Sequence, residues 1–188
     1  SILGDVVNDG LIAFNRSDLS TFDGLISGVG ALNQIGAGTT ILTADNSYSG
    51  VTDVDAGALI VDGDQSAATG LTSVASGAAL GGAGVIGGDA TIADNGVLTP
   101  GSNGVGTLTI NGAVSLNNAS LLDYEFGQSD VVGGPLNDLV EVGGDLTLDG
   151  VIDVTVSPGG SFDVGLYRVI SYGGALTDNT LDLGAMPP

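Results

Sequence analysis

A short phrase returns along this chain about every 20 residues: an apolar pair, a small polar step, a glycine and a second apolar pair. In the three clearest copies the glycines are Gly57, Gly77 and Gly96. A repeat of this length is typical of stacked coils, because one unit is too small to bury its apolar face and must share it with the coils on either side. At roughly 20 to 25 residues per coil, the sequence predicts a rod of about eight coils.

The coils are predicted to consist of β-strands. Glycine, Asn-Gly and Asp-Gly interrupt the chain too often for helices, and no stretch sustains the helical i, i+3, i+4, i+7 pattern. Five runs show alternation or an excess of β-branched residues: 39–43, 58–61, 106–110, 145–148 and 151–156. Hairpins would give the same local pattern, but evenly spaced glycines favour parallel pairing of each strand with its equivalent in the next coil. The expected fold is all-β, a parallel β-helix in which Gly57 and Gly77 stack on adjacent coils.

The chain carries a formal net charge of −20, and its cationic side chains are Arg16 and Arg168, with no lysine or histidine. Nucleic acid and anionic membrane surfaces are disfavoured as partners, because binding phosphate groups needs a positive footprint. Most of the acid is aspartate, which suits turns, and we interpret it as a solvated surface that keeps a sheet-rich rod soluble. Cysteine is absent, so stability must come from coil stacking, and the chain can pass unfolded through a narrow pore.

Three regions follow from the spacing of the repeat. Residues 1–126 are predicted to form coils, residues 127–137 a surface loop inserted between coils, and residues 138–188 further coils with a cap. After a turn at residues 157–160, three aromatic residues follow within a short stretch: Phe162, Tyr167 and Tyr172. Because an open solenoid end exposes strand edges and apolar core, we predict that these aromatics and a hairpin cover the C-terminal end.

Few residue types are available for catalysis. Without histidine or cysteine no nucleophilic triad can form, and without lysine a Ser-Lys dyad also fails. A carboxylate pair that cleaves polysaccharides is harder to exclude because aspartate is plentiful, but tryptophan is absent and the two arginines lie near opposite ends of the sequence. We predict no enzymatic activity, no catalytic residue and no cofactor.

Calcium is the next candidate ligand, because three segments place acidic residues two positions apart: Asp53 with Asp55, Asp62 with Asp64, and Asp123 with Glu125. The Gly-Gly-x-Gly-x-Asp nonapeptide of calcium-binding solenoids does not recur, and alternate acids in a strand more often share a solvated face. We therefore assign no metal site from the sequence, while weak calcium binding stays open.

Residues 46–50, Asn-Ser-Tyr-Ser-Gly, have the composition of a binding loop. A structural role is the simpler interpretation. In it Asn46 adopts a left-handed turn and bonds the backbone, Tyr48 covers the coil edge, and Gly50 supplies a positive φ.

Two parts of the chain resemble bacterial autotransporters, the proteins of type V secretion. The segments 8–17, 22–32 and 36–52 look like the passenger-associated transport repeat, which we place at about residues 28–63. We assign these structural repeat positions: Gly36, Gly38, Asn46, Tyr48, Gly50, Gly57, Gly77 and Gly96. Val51 departs from the repeat, which often has another glycine there. The pairs 98–102 with 106–110, and 137–142 with 166–170, resemble the C-terminal autochaperone region of pertactin-like passengers.

This resemblance implies a right-handed parallel β-helix in the C-terminal part of a passenger, displayed at the surface of a Gram-negative outer membrane. The implied partner is the protein's own C-terminal translocator β-barrel, whose strands are not in this sequence. Since Ser1 opens no signal sequence, we expect an internal piece of a longer protein.

The implied function is a non-catalytic stem, monomeric, whose C-terminal coils fold first and promote translocation of the passenger. The alternative is an adhesive module that binds a host surface, matrix ligand, glycan or neighbouring cell through its lateral face. A third interpretation is a polysaccharide-cleaving β-helix, for which the chain lacks a groove of convergent aspartates with aromatics.

Overall fold

The computed structural model describes residues 4–188, which form 23 β-strands and no helix. None of this part of the chain could therefore cross a membrane as a helix. Every pair of strands in it is parallel, with two isolated antiparallel bridges. The predicted parallel β-helix is confirmed.

Three faces run along the rod. Face A consists of β2 (Leu11–Phe14), β5 (Ala31–Gln34), β7 (Thr52–Val54), β10 (Thr72–Val74), β13 (Ala90–Ile92), β16 (Val114–Leu116), β19 (Leu146–Leu148) and β22 (Leu176–Asp178). Face B consists of β3 (Ser20–Phe22), β6 (Thr39–Leu42), β8 (Ala58–Val61), β11 (Ala79–Gly82), β14 (Val97–Pro100), β17 (Leu121–Phe126), β20 (Val151–Val156) and β23 (Asp182–Leu183). Face C consists of β1 (Val6–Val7), β4 (Ile26–Ser27), β9 (Asp64–Gln65), β12 (Val85–Ile86), β15 (Thr107–Ile110), β18 (Leu139–Val142) and β21 (Ile170–Tyr172).

Each turn of the chain passes through face C, then A, then B, and the described residues contain eight such coils. Coil 1 holds β1–β3, coil 2 β4–β6, coil 3 β7 and β8, coil 4 β9–β11, coil 5 β12–β14, coil 6 β15–β17, coil 7 β18–β20 and coil 8 β21–β23. On face C of coil 3, residues 45–49 replace a strand. They bond coil 2 through the amides of Ser47 and Ser49, which donate to the carbonyls of Ile26 and Gly28.

The core is a set of rows that run along the rod axis. Alternate residues of each strand point inward, and the parallel register places equivalent residues directly above one another. One row on face B shows this most clearly: Leu59, Leu80, Leu98, Leu122 and Ile152. All five are buried. The interior is therefore continuous from coil to coil, and no coil has a core of its own.

The expected stacking of Gly57 on Gly77 is wrong by one residue. The register pairs Ala58 with Ala79 and Ala79 with Val97, so Ala78 lies between Gly57 and Gly96. Gly77 instead lies beside Asn95 and donates its amide to the Asn95 carbonyl at 2.9 Å. The corner between β7 and β8 is one residue shorter than the next two, which shifts the glycine. In coil 5 Asn95 takes the left-handed conformation (φ 61°) that Gly77 takes in coil 4 (φ 81°).

The expected C-terminal hairpin is also wrong. The last strands β21, β22 and β23 pair in parallel with β18, β19 and β20, and so form one more coil. The physical reason lies in Gly173-Gly174, which repeats the corner glycines Gly143-Gly144 of coil 7 and lets the backbone turn in the same place. The amide of Gly174 donates to the carbonyl of Gly144 at 2.8 Å, which fixes this register.

Candidate functional site

The C-terminal coils differ from the rest of the rod at one corner, where face B leads into face C. In coils 3 and 4 this corner consists only of residues 62–63 and 83–84. In coils 5, 6 and 7 it expands to residues 101–106, 127–138 and 157–169. The three longer loops lie above one another, because the coils are stacked in register. Together they form a lateral surface of loops that are longer than the same corner in coils 3 and 4.

The 127–138 loop is organised by one buried side chain, Asn137. Its Oδ1 accepts hydrogen bonds from the amides of Gly127 and Gln128 at 3.0 and 3.1 Å. Its Nδ2 donates to the carbonyls of Gln128 and Val131 at 2.8 Å each. Asn137 is 1% exposed, and both the oxygen and the nitrogen of its side-chain amide form hydrogen bonds. These bonds hold the loop in a defined conformation.

The loops 127–138 and 157–169 are joined to each other, and we call them the loop pair. The Asp130 amide donates to the Leu166 carbonyl at 2.9 Å, and the Leu166 amide donates back to Asp130 Oδ1 at 3.0 Å. Near the base of the loops, Ser157 Oγ donates to the Leu136 carbonyl at 2.9 Å. The two loops therefore form one unit attached to coils 6 and 7.

A line of aromatic rings connects this unit to the core. Tyr124 and Phe126 point into the interior of coil 6, with ring centroids 5.6 Å apart. Phe126 packs on Tyr167 at 5.1 Å, and Tyr167 stacks on Phe162 at 4.7 Å. The structure thus brings together two of the three predicted cap residues. They pack against coil 6, and Tyr167 also faces the apolar interior of the C-terminal coils.

The third predicted cap residue, Tyr172, is separate from the aromatic line. It lies on β21 opposite Val142 and is 45% exposed. The sequence analysis did not identify Tyr124 and Phe126 as core residues. The alternation Leu122-x-Tyr124-x-Phe126 places them in an inward row and could have indicated their burial.

Beyond coil 7 the interior opens into an apolar cavity of about 540 Å³. Its walls include these side chains of the last two coils: Leu146, Leu148, Ile170, Tyr172, Leu176 and Leu181. Residues 130–132 and 166–169 of the loop pair close one side. The loop pair therefore shields part of the core end from the side.

A buried carboxyl group, Asp138, lies where the 127–138 loop rejoins the coil. Its Oδ1 accepts a hydrogen bond from the Gly106 amide and its Oδ2 one from the Glu125 amide, both at 2.7 Å. Burial raises the pKa of Asp138 to about 7; the two amide bonds oppose this shift, and the nearby carboxylates of Glu125 and Asp123 add to it. Burial and the Asp138 charge also raise the pKa of Tyr124 well above its ordinary value.

Many of the remaining aspartates connect neighbouring coils. In each case Oδ1 accepts the backbone amide of a residue in the next coil toward the C-terminus. The pairs are Asp5 with Leu25, Asp45 with Asp64, Asp62 with Ala83, Asp89 with Ala113, Asp94 with Ala119, Asp145 with Ala175, and Asp153 with Ala185. Coil 8 has Ala175 and Gly184 where coil 7 has Asp145 and Asp153. The acidic surface is therefore partly a set of coil connectors.

The acidic pairs considered for calcium do not form a ligand cluster. Asp62 bonds the Ala83 amide, Asp64 bonds the Ser66 amide, and Asp55 accepts from the Asn33 side chain. Within residues 4–188, no group of three or more acidic side chains is arranged to hold a metal ion.

The segment 46–50 contributes to the interior of coil 3. Tyr48 does not cover the coil edge as expected: it is 2% exposed, and its hydroxyl shares a hydrogen bond of 2.6 Å with Thr52 Oγ1. Asn46 bonds the backbone as expected, accepting the Ile26 amide at 2.7 Å, but neither it nor Gly50 has a positive φ. Gly50 is needed for space, because a Cβ there would overlap the carbonyl of Gly30 in the preceding coil.

The same requirement for space applies to Gly36 and Gly38. A side chain at Gly36 would overlap the backbone of Arg16, and one at Gly38 the backbone of Asp18. Gly36, Gly38 and Gly50 thus lie at corners where consecutive coils approach too closely for a side chain. Nothing in this arrangement supplies a reactive group, so the chemistry that the geometry supports is packing and hydrogen bonding between coils.

The parallel β-helix and its corner glycines agree with the autotransporter passenger that the sequence resembles. The passenger-associated-transport-repeat family matches residues 32–61, which span coils 2 and 3. The chain is 59% identical over 185 residues to the "Adhesin BmaC autotransporter" of Brucella suis biovar 1 (strain 1330), in an alignment that covers 97% of the chain and 5% of the adhesin.

A second relative is the "Extracellular serine protease" of Serratia marcescens, 36% identical over 118 residues, which are 57% of the chain and 10% of the protease. The chain thus spans a small part of both relatives. It belongs to the bacterial autotransporters as passenger sequence, displayed at the cell surface in association with the outer membrane.

Proposed function

We propose that this chain is a non-catalytic stem of an autotransporter passenger, and that its C-terminal coils act as the template on which the upstream coils fold during translocation. The observation that carries the proposal is the structure of coils 5–7. Their inward rows are aliphatic and aromatic, and the loop pair fastens coils 6 and 7 together. Coil-by-coil folding needs a first unit that is stable before its neighbours exist, because loop closure and strand ordering precede any gain from stacking.

The proposed partner is a translocator domain of the same protein, from which the passenger emerges. The absence of cysteine permits passage of the unfolded chain, and the net charge of −20 opposes collapse of the unfolded chain. Folding outside the cell then discourages backward movement, because the folded coils no longer fit a narrow pore. No nucleotide is required, and the chain acts as a monomer.

The absence of catalysis belongs to the same proposal. The relative from Serratia marcescens is named a serine protease, but the shared segment is 10% of that protein. All 188 residues of the present chain lack histidine, so this segment cannot supply the base of a Ser-His-Asp triad. What the two relatives share with this chain is then a stem that can carry different activities.

Surface display tests the template role. In the full-length autotransporter, Leu146→Asp places a charge in the interior of coil 7, where Leu146 is 2% exposed, and should cost about 3–5 kcal/mol. We expect slow display and a passenger that is digested by protease added to whole cells. Thr147→Asp is the matched control, because Thr147 points outward on the same strand. Normal display of a protease-resistant passenger in the Leu146→Asp variant would show that these coils are a passive stalk.

Adhesion is a second candidate function, favoured by the name of the Brucella suis relative and by the loop pair. Long lateral loops are the usual place for binding residues on a rigid scaffold. The loop pair presents three exposed apolar side chains: Val132, Val164 and Leu166.

The binding test uses the purified chain and host cells or matrix proteins. The variant Val164→Ser with Leu166→Ser should lose binding without a change in melting temperature, whereas Val7→Ser, an exposed apolar change in coil 1, should keep it. Equal binding by all three proteins, or no binding by the unmodified chain, would reject adhesion through the loop pair and leave the stem role untouched.

A further inference from the structure

Three asparagines of this chain are followed directly by glycine: the pairs are Asn95-Gly96, Asn103-Gly104 and Asn111-Gly112. All three asparagines are exposed. In an Asn-Gly pair the backbone nitrogen of the glycine can reach the side-chain amide carbon of the asparagine, because glycine has no Cβ to obstruct the approach. Whether this attack takes place in a folded chain depends on how the glycine amide is held.

Two of the three glycine amides are held by hydrogen bonds. The Gly96 amide donates to the Ala93 carbonyl at 2.8 Å, and the Gly112 amide donates to the Gly88 carbonyl at 3.2 Å. Gly96 is also buried. A nitrogen fixed in this way cannot turn toward the neighbouring side chain until the corner opens, so the fold protects the asparagines that precede these two glycines.

The third glycine amide is free. Neither a carbonyl nor a side chain within residues 4–188 accepts a hydrogen bond from the Gly104 amide. The same part of the chain contains no backbone hydrogen bond to or from residues 102–105, the outer part of the 101–106 corner. Asn103 and Asn95 both have a left-handed backbone, with φ of 62° and 61°. These two sites therefore differ chiefly in the hydrogen bonding of the glycine that follows.

We propose that Asn103 is a site of spontaneous deamidation, and that the fold directs the reaction to it. The Gly104 nitrogen gives up its proton to hydroxide and bonds to Cγ of Asn103. The Cγ–Nδ2 bond breaks, and Nδ2 leaves as ammonia with a proton taken from water. A five-membered succinimide ring remains, and one water molecule opens it at either carbonyl to give aspartate or isoaspartate. No enzyme, metal or oxidant takes part, and the proposal is independent of the stem and adhesion roles.

The new carboxylate would enter an acidic corner. Asn103 lines a cavity of about 350 Å³ together with three acidic residues: Asp123, Glu125 and Asp138. Neither arginine lines this cavity, because Arg16 pairs with Asp18 in coil 1 and Arg168 contacts the Ser171 hydroxyl at 3.4 Å. Conversion of Asn103 therefore adds a like charge to carboxylates that no cation balances, which raises the electrostatic energy of the folded corner.

Isoaspartate has a further effect, because its Cβ becomes part of the main chain and lengthens the corner. The corner is fixed at both ends. Gly101 and Gly82 exchange backbone hydrogen bonds of 2.8 and 3.0 Å, and the Gly106 amide donates to Asp138 Oδ1 at 2.7 Å. Extra length between fixed ends has to be absorbed by residues 102–105 or by these bonds. We therefore expect weaker protection of the Gly106 amide after the modification.

The reaction is tested by incubating the purified 188-residue chain at pH 8 and following the conversion of amide to acid by peptide mass spectrometry. Segment 94–122 contains all three pairs, so the site is measured beside two internal references. In the folded chain Asn103 should react at least about tenfold faster than Asn95 or Asn111, because a hydrogen-bonded amide reacts only in the small fraction of molecules whose corner is open. In urea the three rates should become similar, because each asparagine precedes a glycine.

Two variants complete the test. Asn103→Gln keeps a side-chain amide but would need a six-membered ring, so conversion at this position should fall to a small fraction of the unmodified rate. Asn103→Asp carries the added charge from the start, and its Gly106 amide should exchange faster than in the unmodified chain; unchanged exchange would contradict the expected loosening of the corner. Equal rates at the three asparagines of the folded chain, a preference for Asn103 that persists in urea, or a product without isoaspartate would each overturn the proposal.

Discussion

Coils 2–4 and coils 5–7 share one backbone plan but have different interiors. The inward rows of coils 2–4 contain six buried polar residues: Gln34, Thr40, Asn46, Thr52, Gln65 and Thr72. In coils 5–7 the inward rows are aliphatic or aromatic. The buried polar residues of these coils lie at corners and loop bases: Ser120, Asn137, Asp138 and Ser157.

This difference separates two tasks that a stacked fold must perform. Aliphatic rows give the larger cohesive energy, but equivalent aliphatic positions can exchange partners between coils. Buried polar groups add less net stability, yet each is costly unless it meets its own partner, so they fix which coil stacks where. The C-terminal coils are thus suited to start folding, and coils 2–4 are suited to arrive in a defined register.

The largest expected effect compares two leucines with no exposed surface, Leu122 in coil 6 and Leu42 in coil 2. Changing either to alanine should lower the free energy of unfolding by about 2–5 kcal/mol. If coil 6 belongs to the folding nucleus, Leu122→Ala should slow refolding, whereas Leu42→Ala should mainly speed unfolding. Stopped-flow kinetics in urea decide the matter, and equal slowing of refolding in both variants would remove the distinction between the two regions.

The polar interior of coil 2 can be tested at Gln34. Its Nε2 donates to the carbonyls of Gly36 and Gly38 at 2.8 and 3.2 Å, and its Oε1 accepts from Thr40 Oγ1 at 2.8 Å. Gln34→Leu strands these groups and should cost about 1–3 kcal/mol. Adding Thr40→Val should recover part of that loss in urea denaturation. Additive costs in the double variant would mean that the two side chains do not act as a pair.

Two buried tyrosines compare the regions more directly. Tyr48→Phe removes the bond to Thr52 and should destabilise the chain by about 0.5–1.5 kcal/mol. Tyr124→Phe removes a buried hydroxyl that has no partner, so stability should stay the same or rise. Thermal melts of both variants are the measurement. A loss in Tyr124→Phe as large as that in Tyr48→Phe would contradict the contrast between the two interiors.

The smallest effect is expected at a coil connector. Asp145 is exposed and accepts the Ala175 amide at 2.7 Å, so Asp145→Ala should cost less than about 1 kcal/mol. Asp145→Asn keeps an acceptor oxygen and should cost less still. Hydrogen exchange at the Ala175 amide is the sensitive measurement, and unchanged protection in the alanine variant would show that the bond contributes nothing.

The sequence was sufficient to predict the solenoid, because glycine spacing and alternation report the period and the inward rows directly. It was insufficient for register, since inserting one residue at a corner moved Gly77 next to Asn95 without changing the pattern of strands. The contacts of the C-terminal aromatics were unpredictable for a related reason. Phe162 and Tyr167 are bulky enough to suggest a cap, but Tyr167 packs on Phe126, a partner 41 residues earlier in the chain.

The least predictable features were those that depend on burial of single polar groups. Asn137 and Asp138 read as ordinary loop residues, and nothing in a linear sequence shows that both become 1% exposed. The aspartates that connect coils were likewise indistinguishable from a solvated acidic surface. Their partners are backbone amides in the next coil, which carry no sequence signal.

The hydrogen bonds from the connecting aspartates all run in the same direction along the rod, which gives the rod a polarity. Each connector extends from a coil to its C-terminal neighbour, so a coil that arrives from the N-terminal side brings acceptors to amides that are already fixed in place. Growth of the rod from its C-terminal coils toward its N-terminal coils is therefore favoured.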